Sequence, residues 1–192
     1  MDQKIEVERK RQLPHDGAVL AGRLVELGWS RDEPVTEVDT YYSRPDVDYM
    51  ETVECLRVRR RDDFAEITYK PPSTAATHSA DSVISKPETN VRLDSASQAA
   101  LANQLLENIG MRLLVHVEKH RETYRHALHP DVTVSIDTVA GVGTFVETEV
   151  ISANATQAAL RVEHVEKELD VADLPVVDVP YRDLTLAKVA AP

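Results

Sequence analysis

Apolar and polar residues alternate with period two along most of the chain, and that alternation predicts β-strands. Eight segments carry it: residues 4–11, 35–42, 53–61, 64–70, 85–93, 113–125, 132–139 and 144–151. Helical periodicity is confined to four places. Asp16 can cap a helix that runs to Gly28, with Val19, Leu20, Leu24 and Leu27 as its apolar stripe. Ser95 and Gln98 form a capping box before AALANQLLENIG, which stops at Gly110. Asn154 and Gln157 repeat that device before a helix reaching about Leu169, and Pro180 suits the first turn of a short last helix. Residues 71–85, PPSTAATHSADSVIS, are loop-like. Similar strand patterns flank that loop on both sides, so it lies inside a single domain spanning 1–192. About eight strands suffice for a closed antiparallel barrel or a strongly curved sheet.

The charges follow the same alternation. Residues i and i+2 of a strand face the same side. Glu6, Glu8 and Lys10 therefore share one face of the first strand, with Ile5 and Val7 on the other. Arg57 and Arg59 pair on a face, as do Glu66, Thr68 and Lys70, then Lys119 and Arg121, Ser135 and Asp137, and Glu147 and Glu149. An ordinary solvent face would mix signs and include many neutral polar residues. Here the carboxylates gather in the first and last strands and the bases in the middle ones. Carboxylate pairs supply the hard oxygen donors that Mg²⁺ takes together with substrate phosphates. Arginine and lysine pairs supply donors for phosphate oxygens. One concave site holding both sets suits a metal-dependent enzyme of polyphosphates.

Composition narrows the partners. The 192 residues are 42% hydrophobic and 29% charged, as in a soluble globular domain, with a net charge of −11. That balance argues against nucleic acid and against anionic membranes as partners. No run approaches the roughly 18 apolar residues of a membrane helix, and the N-terminus lacks a signal-type apolar stretch. The single cysteine, Cys55, excludes an internal disulfide framework and a cysteine-based zinc site. A reducing, cytoplasmic setting is expected. Cys55 shares the face of Arg57 without evident activating partners, so it is not read as a nucleophile. His116 and His120 share a strand face with Glu118 and read as partly exposed polar positions rather than zinc ligands. Trp29 reads as a packing residue.

Motifs in order along the chain resemble one family. IEVERK (Ile5–Lys10) is similar to the Glu-x-Glu-x-Lys signature of the CYTH superfamily, the triphosphate tunnel metalloenzymes. Its founding members are class IV adenylyl cyclases and thiamine triphosphatases. DTYYSRP (Asp39–Pro45), LRVRR (Leu56–Arg60) and ITYKPP (Ile67–Pro72) resemble the motifs of its next strands. EKHRETY (Glu118–Tyr124), SIDTVAGVGTFVETE (Ser135–Glu149) and PYRDL (Pro180–Leu184) resemble its later blocks. The resemblance implies an α+β fold in which a closed antiparallel β-barrel of about eight strands forms a tunnel, with helices packed outside. It implies that Glu6, Glu8, Glu147 and Glu149, helped by Asp137 and Glu88, hold one or two Mg²⁺ or Mn²⁺ ions. It implies that Lys10, Arg57, Arg59, Lys70, Lys86, Lys119 and Arg121 bind the triphosphate. Lys70, Arg59 and Glu66 are the catalytic candidates, Glu66 because it shares the face of Lys70.

One departure stands out. Many members follow a basic residue in the fifth strand with alternating glutamates, whereas SKPETNV places Asn90 after Lys86 and Glu88, and Pro87 is awkward within a central strand. The implied activity is that of a class IV adenylyl cyclase, which converts ATP to cyclic AMP and pyrophosphate. Hydrolysis of tripolyphosphate or thiamine triphosphate is the alternative, and a non-catalytic polyphosphate-binding module ranks below both. The partner is a small triphosphate, and the chain is a monomer or homodimer. The seven bases and six acids assigned to the tunnel carry one net positive charge. The acidity of the chain therefore lies outside the site.

Overall fold

Period-two alternation builds all but the shortest of the nine strands among the described residues, and helices pack against the sheet. The computed structural model describes residues 5–72 and 87–190. In chain order the elements are β1 (Ile5–Gln12), α1 (Ala18–Glu26), β2 (Ser30–Arg31), β3 (Val35–Ser43), β4 (Cys55–Arg60), β5 (Ala65–Lys70) and β6 (Thr89–Leu93). Then come α2 (Gln98–Asn108), β7 (Arg112–His126), β8 (His129–Val139), β9 (Gly143–Ser152), α3 (Ala155–Glu168) and α4 (Tyr181–Ala190). The strands form one sheet in the order β1-β9-β8-β7-β3-β4-β5-β6, every pair antiparallel, with β2 beside β7.

The sheet curls into a half-barrel. Among the described residues β1 and β6 are its two edges and do not pair. The expected ring of strands is therefore not completed by backbone hydrogen bonds there. Side chains span the gap instead: Lys70 on β5 lies 3.9 Å from Glu6 on β1. The free edge of β1 is covered by the segment before α4. Gln12 donates to the Pro175 carbonyl at 3.0 Å and Val177 to the Lys10 carbonyl at 2.9 Å.

The convex face carries two apolar clusters. In the first, Val7, Val134, Ile136, Val146 and Val150 of the sheet meet Leu20 and Leu24 of α1 and Val162 and Val165 of α3. Trp29 belongs to it and lies against the stacked pair of His126 and His129. In the second, Val58, Ala65 and Tyr42 meet Ala99, Ala102 and Leu106 of α2. Tyr41 and Tyr42, on opposite faces as consecutive strand residues are, are both buried, one in the concave cluster and one in the convex, and the register against β7 shifts between them.

Caps end the helices as their side chains dictate. The Asp16 carboxylate accepts from the Ala18 amide at 3.1 Å, and Asn154 from the Gln157 amide at 3.1 Å. Gln98 accepts from the Asp94 and Ser95 amides, so that helix starts at Gln98. Among the described residues the sixth strand begins at Thr89, after Pro87, and residues 85 and 86 of the expected segment lie outside them. The two-residue β2 has too little alternation to be foreseen.

Candidate active site

The concave face encloses a cavity of about 310 Å³. Eight basic and seven acidic side chains line it. Two walls divide those charges.

The basic wall comes from β3, β4, β7 and β8. Strand register places Asp39 opposite Arg59, Glu37 opposite Lys119, and Asp137 opposite Arg121. Arg59 grips Asp39 with two parallel bonds, Nε to Oδ1 and Nη2 to Oδ2, each 2.7 Å. Its other nitrogen lies 3.1 Å from Glu37. Lys119 bridges Glu37 at 3.1 Å and Asp137 at 3.3 Å. Arg121 Nε donates to Asp137 at 2.7 Å, Arg57 approaches Asp39 at 3.6 Å, and Arg61 pairs with Glu37. Five bases thus stand on three buried acids.

Burial pushes the carboxyl of Glu37 upward, but Lys119, Arg59, Arg121 and Arg61 outweigh it and bring it down to about 2. Burial likewise opposes ionisation of Asp39 and Asp137. Arg59 with Arg57, and Lys119 with Arg121, hold them well below the usual carboxylate range. These three acids are ionised at neutral pH, and the bases above them are held in fixed positions.

The carboxylate wall comes from β1 and β9. Glu8 lies directly opposite Glu149 in the register, an unfavourable like-charge pair. Among the described residues neither forms an ion pair within 4.0 Å, whereas Glu147 pairs with Arg121. Burial, followed by the Glu147 charge, raises Glu8 to about 7 despite Lys70 and Lys10. Burial and Glu8 raise Glu149, and burial raises Glu6 further than Lys70 can lower it. Apart from Arg121 on Glu147 and Lys70 near Glu6, the carboxylates of this wall have no ion-pair partner among the described residues. Lys70 stands between the walls, 3.0 Å from Glu88, and its neighbours Glu8, Glu6 and Glu88 overcome burial and raise it to about 12.

The structure places Glu6, Glu8, Glu88, Glu147, Glu149, Lys10, Arg57, Arg59, Lys70, Lys119, Arg121 and Glu66 on the cavity. Asp137 lies beneath it, fully buried, with its oxygens taken by Lys119, Arg121 and Tyr181. Lys86 lies outside the described residues. Asn90 sits on edge strand β6, where its amide oxygen accepts from Thr68 at 2.8 Å. Cys55 lines the cavity beside Arg57.

Four contributors carry no role in the motif reading. Glu37 and Asp39 share a β3 face with Tyr41; Asp39 opens the DTYYSRP motif, and Glu37 has only the i, i+2 spacing of two acids before that tyrosine as its sequence signal. Tyr181 and Arg182 reach the cavity from α4. Arg182 is buried and donates to the carbonyls of Glu54 at 2.7 Å and Tyr49 at 3.2 Å, fixing the β3–β4 loop. In that loop Val53 adopts φ 54°, strained for a β-branched residue, where it lines the cavity.

The donor chemistry suits a hard divalent cation. No three described His, Cys, Asp or Glu residues form a ready metal cage. Mg²⁺ needs none, since one or two carboxylates, water and substrate phosphates complete its shell. Glu8 and Glu149 are adjacent and half-buried, without an ion-pair partner among the described residues, and a cation between them would relieve their repulsion.

Comparison with known proteins agrees with this arrangement. The CYTH domain profile matches residues 4–174. A Methanocaldococcus jannaschii protein, MJ0240, which carries an adenylate cyclase name, is 30% identical over 145 residues, 76% of each chain. The PH1819 protein of Pyrococcus horikoshii superposes with a TM-score of 0.78 at 25% identity, over 95% of this chain and 99% of that one. HpAC1 from Hippeastrum, an adenylyl cyclase by name described as having a dominant triphosphatase activity, superposes at 0.68 with 14% identity. That superposition covers 99% of this chain and 98% of HpAC1, a likeness of fold. With its curled sheet, its divided tunnel and a profile match over nearly its whole length, this chain belongs to the CYTH domain family.

Proposed function

We propose that the chain is a divalent-cation-dependent enzyme that hydrolyses a small triphosphate inside the tunnel. The division of one cavity into a fixed basic wall and a carboxylate wall with few ion-pair partners among the described residues carries this reading. Arg57, Arg59, Lys119 and Arg121, already oriented by the acids behind them, would bind the phosphate oxygens together with Lys10. Glu6, Glu8, Glu147 and Glu149 would hold the cation, which supplies neutralisation of charge on the phosphates when bound. Mg²⁺ and Mn²⁺ both suit oxygen donors.

Water attacks the terminal phosphorus, a new P–O bond forms, and the anhydride P–O bond breaks. Orthophosphate and the shortened phosphate chain leave. Lys70 would steady the charge of the breaking bond, and Glu66, on the cavity beside Arg59, would orient the attacking water and take its proton. Among the described lining residues the aromatic faces are occupied: Tyr181 lies under Lys10 and Tyr41 is buried. That favours recognition of the phosphate chain over recognition of a base.

The name of the M. jannaschii relative favours a second reading, cyclisation of ATP, in which the ribose 3′-hydroxyl attacks the α-phosphorus and pyrophosphate leaves. Incubation with tripolyphosphate, thiamine triphosphate and ATP, each with Mg²⁺ or Mn²⁺, separates the two by ³¹P NMR. Hydrolysis yields orthophosphate without cyclic AMP. Cyclic AMP and pyrophosphate without orthophosphate would replace it with the cyclase reading. No turnover and no binding of any of the three would remove both.

A further inference from the structure

Tyr181 sits beyond residue 174, where the family match ends, yet it touches three groups of the site. Its hydroxyl donates to Asp137 at 3.0 Å. Its ring lies 4.3 Å below the Lys10 ammonium and 5.3 Å from that of Lys119. Both distances are within cation–π range. The ring is itself held edge-on by Phe145, with centroids 5.1 Å apart, and is buried among Tyr41, Val117 and Val139. Its approach is set by the chain before it. Val177 bonds the β1 backbone at Lys10, and the Lys10 ammonium donates to the Val179 carbonyl at 2.8 Å. Arg182, next in sequence, anchors the start of α4 to the β3–β4 loop.

Among the described residues Lys10 has no buried carboxylate behind it of the kind that backs each base of the basic wall. On the carboxylate strand its register partner is Glu147, which is engaged by Arg121. The C-terminal segment supplies what Lys10 needs: a carbonyl for the ammonium and an aromatic face beneath it. We propose that Tyr181 is a positioning residue of the triphosphate site, its ring setting Lys10 and Lys119 and its hydroxyl keeping Asp137 turned towards the bases. This rests on the reading of the cavity as a triphosphate site.

The test uses the full chain with tripolyphosphate as probe. Y181F keeps the ring and loses the Asp137 bond, whereas Y181L loses both. Calorimetry without metal should show binding weakened about threefold in Y181F and about tenfold or more in Y181L. In turnover the loss should appear mainly as a raised KM, with kcat within about threefold of wild type. A merely structural role would lower the amount of folded protein and leave KM unchanged. Wild-type affinity and KM in folded Y181L would overturn the proposal. Should Y181L fail to fold, Y181F, which preserves shape, decides: unchanged affinity overturns it and weakened affinity upholds it. Failure of the wild type itself to bind tripolyphosphate would instead remove the triphosphate reading.

Discussion

The two walls of the tunnel hold similar numbers of charged groups and solve opposite problems. On the basic wall every base is answered by a buried acid: Arg59 by Asp39 and Glu37, Lys119 by Glu37 and Asp137, Arg121 by Asp137. On the other wall Glu8 and Glu149 oppose each other without a partner among the described residues. The protein fixes its anion-binding groups in advance and leaves its cation-binding groups in mutual repulsion. Preorganised donors cost nothing when substrate arrives. Unpaired carboxylates store repulsion that a bound cation releases.

Substitution on each wall should therefore have different costs to stability. The largest effect is expected for Arg59→Ala, which strands Glu37 and Asp39 in the interior. Turnover should vanish and stability should fall by about 3–5 kcal/mol in denaturant unfolding, the usual cost of breaking a buried pair. This stability loss is a consequence of the burial of Arg59, which a motif alone does not reveal. Glu8→Gln should lower turnover by roughly 100-fold or more. Yet the metal-free protein should be as stable as wild type or more so, because a repulsion is removed. A stability loss in Glu8→Gln matching that of Arg59→Ala would erase the contrast.

The same contrast should appear in pH. Glu37 is lowered from 4.5 to about 2, so its contribution is present above its unfolded value and is lost as pH falls from about 4.5 towards 2. Glu8 is raised from 4.5 to about 7, so it holds its proton more tightly folded than unfolded. Its ionisation destabilises the metal-free fold progressively as pH rises from about 4.5 to 7. The stability advantage of Glu8→Gln should accordingly be absent below pH 4.5 and reach roughly 1–3 kcal/mol at pH 7. Urea unfolding across this range checks both signs. Mn²⁺ should raise the wild-type melting temperature more at pH 8 than at pH 5, because binding must displace the proton that Glu8 holds at low pH. The smallest effect is expected for Cys55→Ser, which lines the cavity without an ion pair and should change kcat/KM by less than about threefold.

Much of this was legible in the alternation of residues. Glu6, Glu8 and Lys10 on one face, and Arg57 with Arg59 on another, follow from strand geometry alone, and the strands form as that alternation predicts. The basis of the basic wall was not legible. A strand pattern shows that Glu37 and Asp39 share a face, but only the register of β3 against β4 and β7 brings them against Arg59 and Lys119. The resemblance groups Asp137 with the metal-binding carboxylates, whereas its neighbours across β7 are bases, and it supports Arg121 from beneath the cavity. The PYRDL motif flags Tyr181 and Arg182 but not what they do, for a different reason. Their place depends on how the last segment docks along the edge of β1, a tertiary event without a local signal. Curling of the sheet was foreseen, but its closure was not determined by strand number. In the described residues Lys70 and Glu6 span the opening that backbone pairing leaves.

The division of labour between the walls is tested most directly by calorimetric titration of tripolyphosphate into wild type and Glu8→Gln, with and without Mn²⁺. Without metal the two proteins should bind it with the same affinity, because the basic wall is intact in both. Mn²⁺ should then tighten binding in wild type and have little effect in Glu8→Gln. Equal tightening in both, or loss of metal-free binding in Glu8→Gln, would contradict the separation of cation and anion sites on which this account stands.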